Sequence, residues 1–122
     1  MYLSPERLAI YRRTAAMRQQ EETRLASERR EIALRAAREA GAMLKRRFGA
    51  TRVYAYGSVL RPESFTPWSD LDIAAWGLTE RSWLAAAAAT RELSDLVEVN
   101  LVDAETCGES LRRTILRDGI EL

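Results

Sequence analysis

Two aspartates separated by one leucine, Asp70-Leu71-Asp72, follow a Gly57-Ser58 pair, with eleven residues between Ser58 and Asp70. On a strand, alternate side chains point the same way, so Asp70 and Asp72 share one face while Leu71 and Ile73 share the other. Carboxylates roughly 7 Å apart along a strand repel each other unless a cation lies between them. An all-oxygen donor pair of this kind suits Mg²⁺, which takes one or two carboxylates and fills its remaining positions with phosphate and water. A Gly-Ser turn leading into a helical turn offers backbone N–H groups and a hydroxyl to an anion. Glycine is expected there because a Cβ would hinder close phosphate approach. Together these parts would hold a metal-bound triphosphate.

The remaining composition narrows the chemistry further. The chain of 122 residues has no histidine and a single cysteine, Cys107. Ser-His-Asp and Cys-His nucleophile systems are therefore excluded, as is an imidazole-based zinc site. Carboxylates, hydroxyls, arginines and a hard metal are left. One cysteine cannot form an internal disulfide, and the N-terminus lacks the apolar stretch of a signal peptide, so a cytoplasmic protein is expected. With 47% hydrophobic and 30% charged residues the chain has the balance of an ordinary globular domain, and no apolar run is long enough to span a bilayer. Its net charge of +1 conceals an asymmetry: residues 1–49 carry 12 Lys+Arg against 6 Glu, and residues 50–122 carry 7 Arg against 12 Asp+Glu. Such a split points to partner contacts.

The elements that must position the acids follow from pattern. Ser4-Pro5-Glu6 reads as a helix start, and nothing but Gly41 interrupts helical character before Phe48. Between Arg12 and Arg24 the only apolar residues are Ala15, Ala16 and Met17, too few for a core face. From Leu25 onward Ile32, Ala36, Ala40, Met43, Leu44 and Phe48 recur at helical spacing and should lie on a sheet. Residues 1–29 are thus read as a projecting helical arm and 30–122 as the domain. The arm is either solvated or a contact with a partner or second copy. Strands are expected over 51–56, 70–76 and 96–102, with a loop at 62–69. Helices are expected from the Thr79 cap through Leu93 and over 109–117, the latter closed by Asp118-Gly119 with Ile120 and Leu122 returning to the core. The order α-β-β-α-β-α gives an α/β (α+β) class: a small mixed sheet flanked by helices.

The pattern Tyr56-Gly57-Ser58, a spacer, then Asp70-Leu71-Asp72-Ile73 resembles the signature of the DNA polymerase β-like nucleotidyltransferase superfamily, and its short form resembles the minimal nucleotidyltransferase group. The resemblance covers about residues 30–122 and leaves the arm unexplained. It implies transfer of a nucleoside monophosphate, usually AMP from ATP, to an acceptor hydroxyl. It further implies Gly57 and Ser58 on the β/γ-phosphates, Asp70 and Asp72 on Mg²⁺, and Arg61 at a basic position near phosphate. Ser69 precedes the acid pair and either shapes the loop or contacts ligand. Many members of the group are antitoxins that bind a HEPN-type RNase toxin and adenylylate it on a tyrosine. The family also places a third carboxylate on the next long strand, where this chain reads Glu98-Val99-Asn100-Leu101-Val102-Asp103. Asn100 takes the expected acid's position, and Glu98, two residues earlier on the same face, is the only nearby substitute. A neutral amide neither completes a metal site nor accepts a proton as a carboxylate does.

That departure admits a natural member with weak or lost catalysis, an engineered Asp→Asn trap for a complex, or rescue by Glu98; beside the transferase stand two alternatives, an inactive binding module that neutralises its partner by occupancy and a small-molecule nucleotidyltransferase. The last lacks a second domain for its acceptor, a gap that a homodimer through the arm would fill. Nucleic acid is a poor partner for the arm, whose acids are interleaved with its bases and whose aromatics are only Tyr2 and Tyr11. Trp68 is expected to pack in its loop rather than stack on a base, Trp76 and Trp83 to be core or interface, and Cys107 to be inert.

Overall fold

The computed structural model describes residues 2–122. One uninterrupted helix, α1 (Pro5–Phe48), fills more than a third of the chain. The Ser4 hydroxyl accepts from the Arg7 N–H at 3.2 Å, and Gly49, left-handed at φ 73°, closes the other end onto the Leu44 carbonyl. Residues 5 to 25 are exposed throughout, Leu25 included, so the apolar face begins later than its spacing predicts. What seats the helix is a run of small residues: Ala33, Ala36, Ala37, Ala40 and Gly41 are buried together with Leu44. Their spacing puts them on one stripe, and their size lets the helix axis approach the sheet closely. Gly41, the one expected breaker, is part of this stripe. A Cβ there would lie 2.7 Å from the Leu122 Cβ.

The sheet has four strands in the order β3-β2-β1-β4, comprising β1 (Arg52–Tyr56), β2 (Leu71–Trp76), β3 (Val99–Asp103) and β4 (Ile120–Glu121). The first two are antiparallel, with Tyr56 opposite Asp72. Between β2 and the parallel strand β3 runs α2 (Glu80–Arg91), started by a reciprocal Thr79–Ser82 capping box. A last helix, α3 (Glu109–Asp118), returns the chain to the free edge of β1. Leu71, Ile73 and Ala75 of β2 face the main core with α1, whereas Ala74 and Trp76 face a smaller cluster with Tyr54, Ala104 and Ile115. This is the small mixed sheet with flanking helices that the sequence order implies. No helix among the described residues is long and apolar enough to cross a membrane.

Several boundaries differ from expectation: β2 begins at Leu71, leaving Asp70 just before the strand, and α2 ends at Arg91 rather than Leu93. Strand β3 starts at Val99 rather than 96, because the Ser94 hydroxyl captures the N–H groups of Leu96 and Val97 at 3.1 and 3.2 Å in a local turn. The 120–122 segment forms the edge strand β4, and Ile120 is exposed, not core. Gly119 is not left-handed. It sits at φ −71° with its N–H on the Ile115 carbonyl at 2.8 Å, and an added Cβ would fall 2.4 Å from that carbonyl oxygen and 3.0 Å from that of Ala55. Both obstacles are backbone atoms. Replacing Gly119 with Ala is therefore expected to destabilise the fold by about 1–3 kcal/mol. The check is a lowered urea midpoint together with selective loss of hydrogen-exchange protection at Leu122, whose N–H binds the Val53 carbonyl at 2.8 Å.

Candidate active site

Strand pairing brings the singled-out residues into one place. Leu71, directly after Asp70, donates to the Glu98 carbonyl at 2.9 Å, and the parallel register then sets Asp72 beside Asn100. On the other side Asp72 is opposite Tyr56, the residue before Gly57. With the intervening Leu71 and Ile73 buried against α1, Asp72 lies on the opposite face of the sheet, half-buried. Gly57 adopts φ 81°, and a Cβ at that position would sit 3.0 Å from Asp72 Oδ2. The glycine thus abuts the carboxylate, and both conformation and space exclude a side chain. Its four-residue 3₁₀ turn, Gly57–Leu60, is closed by the Arg61 N–H on the Ser58 carbonyl at 3.1 Å.

Burial raises the pKa of Asp72 above the ordinary aspartate value; the polar Asn100 amide beside it on the next strand opposes the shift, and the charge of Asp70 adds to it. Tyr56, also half-buried, is pushed up to about 12 by burial first, then by the charge of Asp72 and by Cys107. These causes place Asp70, Asp72, Asn100 and Tyr56 in one electrostatic neighbourhood.

Not every candidate joins it in the same way. The Ser69 hydroxyl is turned into its own loop, accepting from the Thr66 N–H at 2.9 Å and pairing with the Thr66 hydroxyl at 3.0 Å. Glu98 is exposed, and its side chain makes no hydrogen bond or ion pair among the described residues. Arg61 is exposed on the side of α3. It lies close enough to Asp118 to help lower that carboxyl, after the larger effect of Arg117. Trp68 does not pack into its loop. Phe65 takes the core position, while the indole is 73% exposed and borders a groove of about 460 Å³ against Thr23 and Ala26 of α1.

Among the described residues no three Asp, Glu, Cys or His side chains converge as a metal cluster. The donors available are two carboxylates and the Asn100 amide. That oxygen-bearing set suits a hard divalent ion that draws its other ligands from phosphate and water, and a cation there would favour the ionised form of half-buried Asp72. The residues that would hold it are Asp70 and Asp72.

No family model and no curated protein matches the chain. A solved structure described provisionally as a minimal nucleotidyltransferase does match: it is 38% identical, with a TM-score of 0.58, and the match covers 73% of this chain and 92% of that one. The chain belongs to the minimal nucleotidyltransferases, a transferase class whose fold generally uses a nucleoside triphosphate and a divalent metal.

Three residues beside the site were wholly or partly beyond the sequence. Tyr56 was visible as part of the motif, but its pairing with Asp72 needed the register. Arg29 and Arg30, whose guanidinium groups reach the Ser69 and Val59 carbonyls beside the site, carried no signal, being two of many arginines on one helix.

The electrostatics of Asp72 give a signed prediction. Its raised pKa means that the folded state disfavours the ionised form. The resulting loss of stability is absent below the ordinary aspartate pKa and grows as pH rises through the raised value. Asp72→Asn should therefore raise the thermal midpoint at pH 7, and the gain should disappear on acidification below about pH 4. A midpoint difference that is flat with pH would contradict this.

Proposed function

We propose that the chain is a Mg²⁺-dependent protein adenylyltransferase, moving AMP from ATP to a tyrosine hydroxyl of a HEPN-type RNase toxin and so acting as its antitoxin. The observation that carries this reading is the meeting of Gly57 with Asp72 and of Asp72 with Asn100, at a face the core leaves open. In the reaction the acceptor oxygen forms a bond to the α-phosphorus, the bond to pyrophosphate breaks, and the hydroxyl proton is released. Bound Mg²⁺ supplies charge neutralisation on the phosphates and activation of the attacking oxygen. Gly57 and Ser58 present backbone N–H groups and a hydroxyl to the β/γ-phosphates, with Arg61 as a nearby positive charge. Asp70 and Asp72 would hold the ion. The exposed half of α1 offers the partner a helical surface.

A second reading is favoured by Asn100 itself: the same fold neutralising its partner by occupancy, without turnover. A neutral amide beside Asp72 does not accept the acceptor's proton as a carboxylate would.

Incubation of α-labelled ATP and Mg²⁺ with the protein and the product of the adjacent gene separates the two. Under the first reading label enters the partner, and Asp70→Ala reduces transfer to background. Asn100→Asp should raise the rate on the order of a hundredfold by restoring a carboxylate. A tight complex without label in either form would establish the second reading.

A further inference from the structure

Arg29 and Arg30 stand where α1 passes from its exposed half to its seat on the sheet. Arg29 donates from Nε to the Ser69 carbonyl at 2.8 Å and from Nη1 to the Leu96 carbonyl at 2.6 Å. Arg30 donates from Nε to the Val59 carbonyl at 2.8 Å. These acceptors lie far away in sequence, and each sits beside a different part of the site. Ser69 immediately precedes Asp70, Val59 immediately follows Ser58, and Leu96 begins the approach to the strand that carries Asn100. Ser69 and Leu96 belong to no helix or strand, and among the described residues no turn or loop N–H takes their carbonyls. The Arg29 guanidinium is the partner of both.

We infer that Arg29 and Arg30 are positioning residues for nucleotide binding, bracing the phosphate turn, the first aspartate and the Asn100 strand from behind the sheet. The inference rests on the reading of this site as a nucleotide site. Its physical basis is the planarity of the peptide unit. With the Ser69 carbonyl drawn toward α1, the Asp70 N–H of the same unit is directed the opposite way, toward the face on which Asp72 stands. The Val59 carbonyl fixes the end of the Gly57–Leu60 turn in the same manner. Arginine is specifically suited to the first position. Its fork reaches two carbonyls from separate segments at once, holding them at a fixed separation that a lysine ammonium does not impose. Releasing either brace leaves a carbonyl to find water and lets its segment move relative to the other two.

The test compares Arg29→Met and Arg30→Met, which keep the aliphatic stem, with Arg29→Lys. Arg24→Met serves as a control, since Arg24 pairs only with Glu21 and Glu28 on the exposed half of α1. Hydrogen exchange resolved by segment should quicken about tenfold over 69–72 in Arg29→Met and over 57–60 in Arg30→Met, while the centres of β1 and β2 keep their protection. Calorimetric affinity for Mg²⁺·ATP should fall about tenfold in each, Arg29→Lys should recover part of the loss, and the control should match wild type. Unchanged exchange in those two segments overturns the brace, as does an affinity loss that merely follows global unfolding. If wild type binds no Mg²⁺·ATP, the nucleotide reading fails, and the exchange pattern still decides whether the arginines hold these segments.

Discussion

The whole arrangement depends on how closely α1 can lie against the sheet. Ala33, Ala36, Ala37, Ala40 and Gly41 make a stripe with almost no side-chain volume, and Leu44 with the flanking Ile32, Leu34, Met43 and Phe48 contributes the bulk. Close approach brings the polar flank of the same helix within reach of backbone on the far end of the strands. That is why guanidinium groups, rather than apolar side chains, make the last contacts before the helix leaves the domain. A stripe of leucines would bury more area per residue but would hold the axis further off, beyond the reach of Arg29 and Arg30 to their carbonyls. The C-terminus uses the same proximity: Leu122 packs on Gly41, and its carbonyl accepts from Lys45.

Against that rigid back, the front of the sheet carries an unfavourable charge. Asp72 is half-buried beside Asp70, and the only group in the neighbourhood that favours its ionised form is an amide. A third carboxylate at position 100 would replace that hydrogen-bond donor with another negative charge, improving a metal site while increasing the repulsion that folding must overcome without a metal. Asn100 therefore moves the balance toward a fold that stands without a cation. On the function proposed above, an amide here would also weaken the chemistry that a complete acid cluster performs. Stability and turnover would then pull this position in opposite directions, a conflict often met at catalytic sites.

How much of this could be read in advance varied with the kind of signal. The acid pair and the Gly-Ser turn were legible because residue type and spacing both carry meaning there, and the β1–β2 register then places Gly57 against Asp72. The helices were legible from their caps, Ser4 and Thr79 above all. The start of β3 was not, because apolar alternation from Leu96 onward looks like strand while the Ser94 hydroxyl and Arg29 claim the backbone groups a ladder would need. Strand β4 was missed because two residues have no periodicity. Trp68 was expected to pack in its loop, and Phe65 takes that place for a similar reason: hydrophobicity alone ranks both as loop anchors, and only the hydrogen-bonded course of 66–69 decides which one faces inward.

The length of α1 has a consequence for how the molecule moves through solution. Its 44 residues span about 66 Å, and the chain exposes 8268 Å² where a compact protein of this mass would expose about 6,600 Å². A rod fixed to a small body feels more drag than a sphere of equal mass and tumbles faster about its long axis than across it. A single copy will accordingly elute early in gel filtration and give an inflated Stokes radius. The oligomeric state must be judged by a method that reads mass directly, since a monomer of this form imitates a dimer in any measurement that reads size.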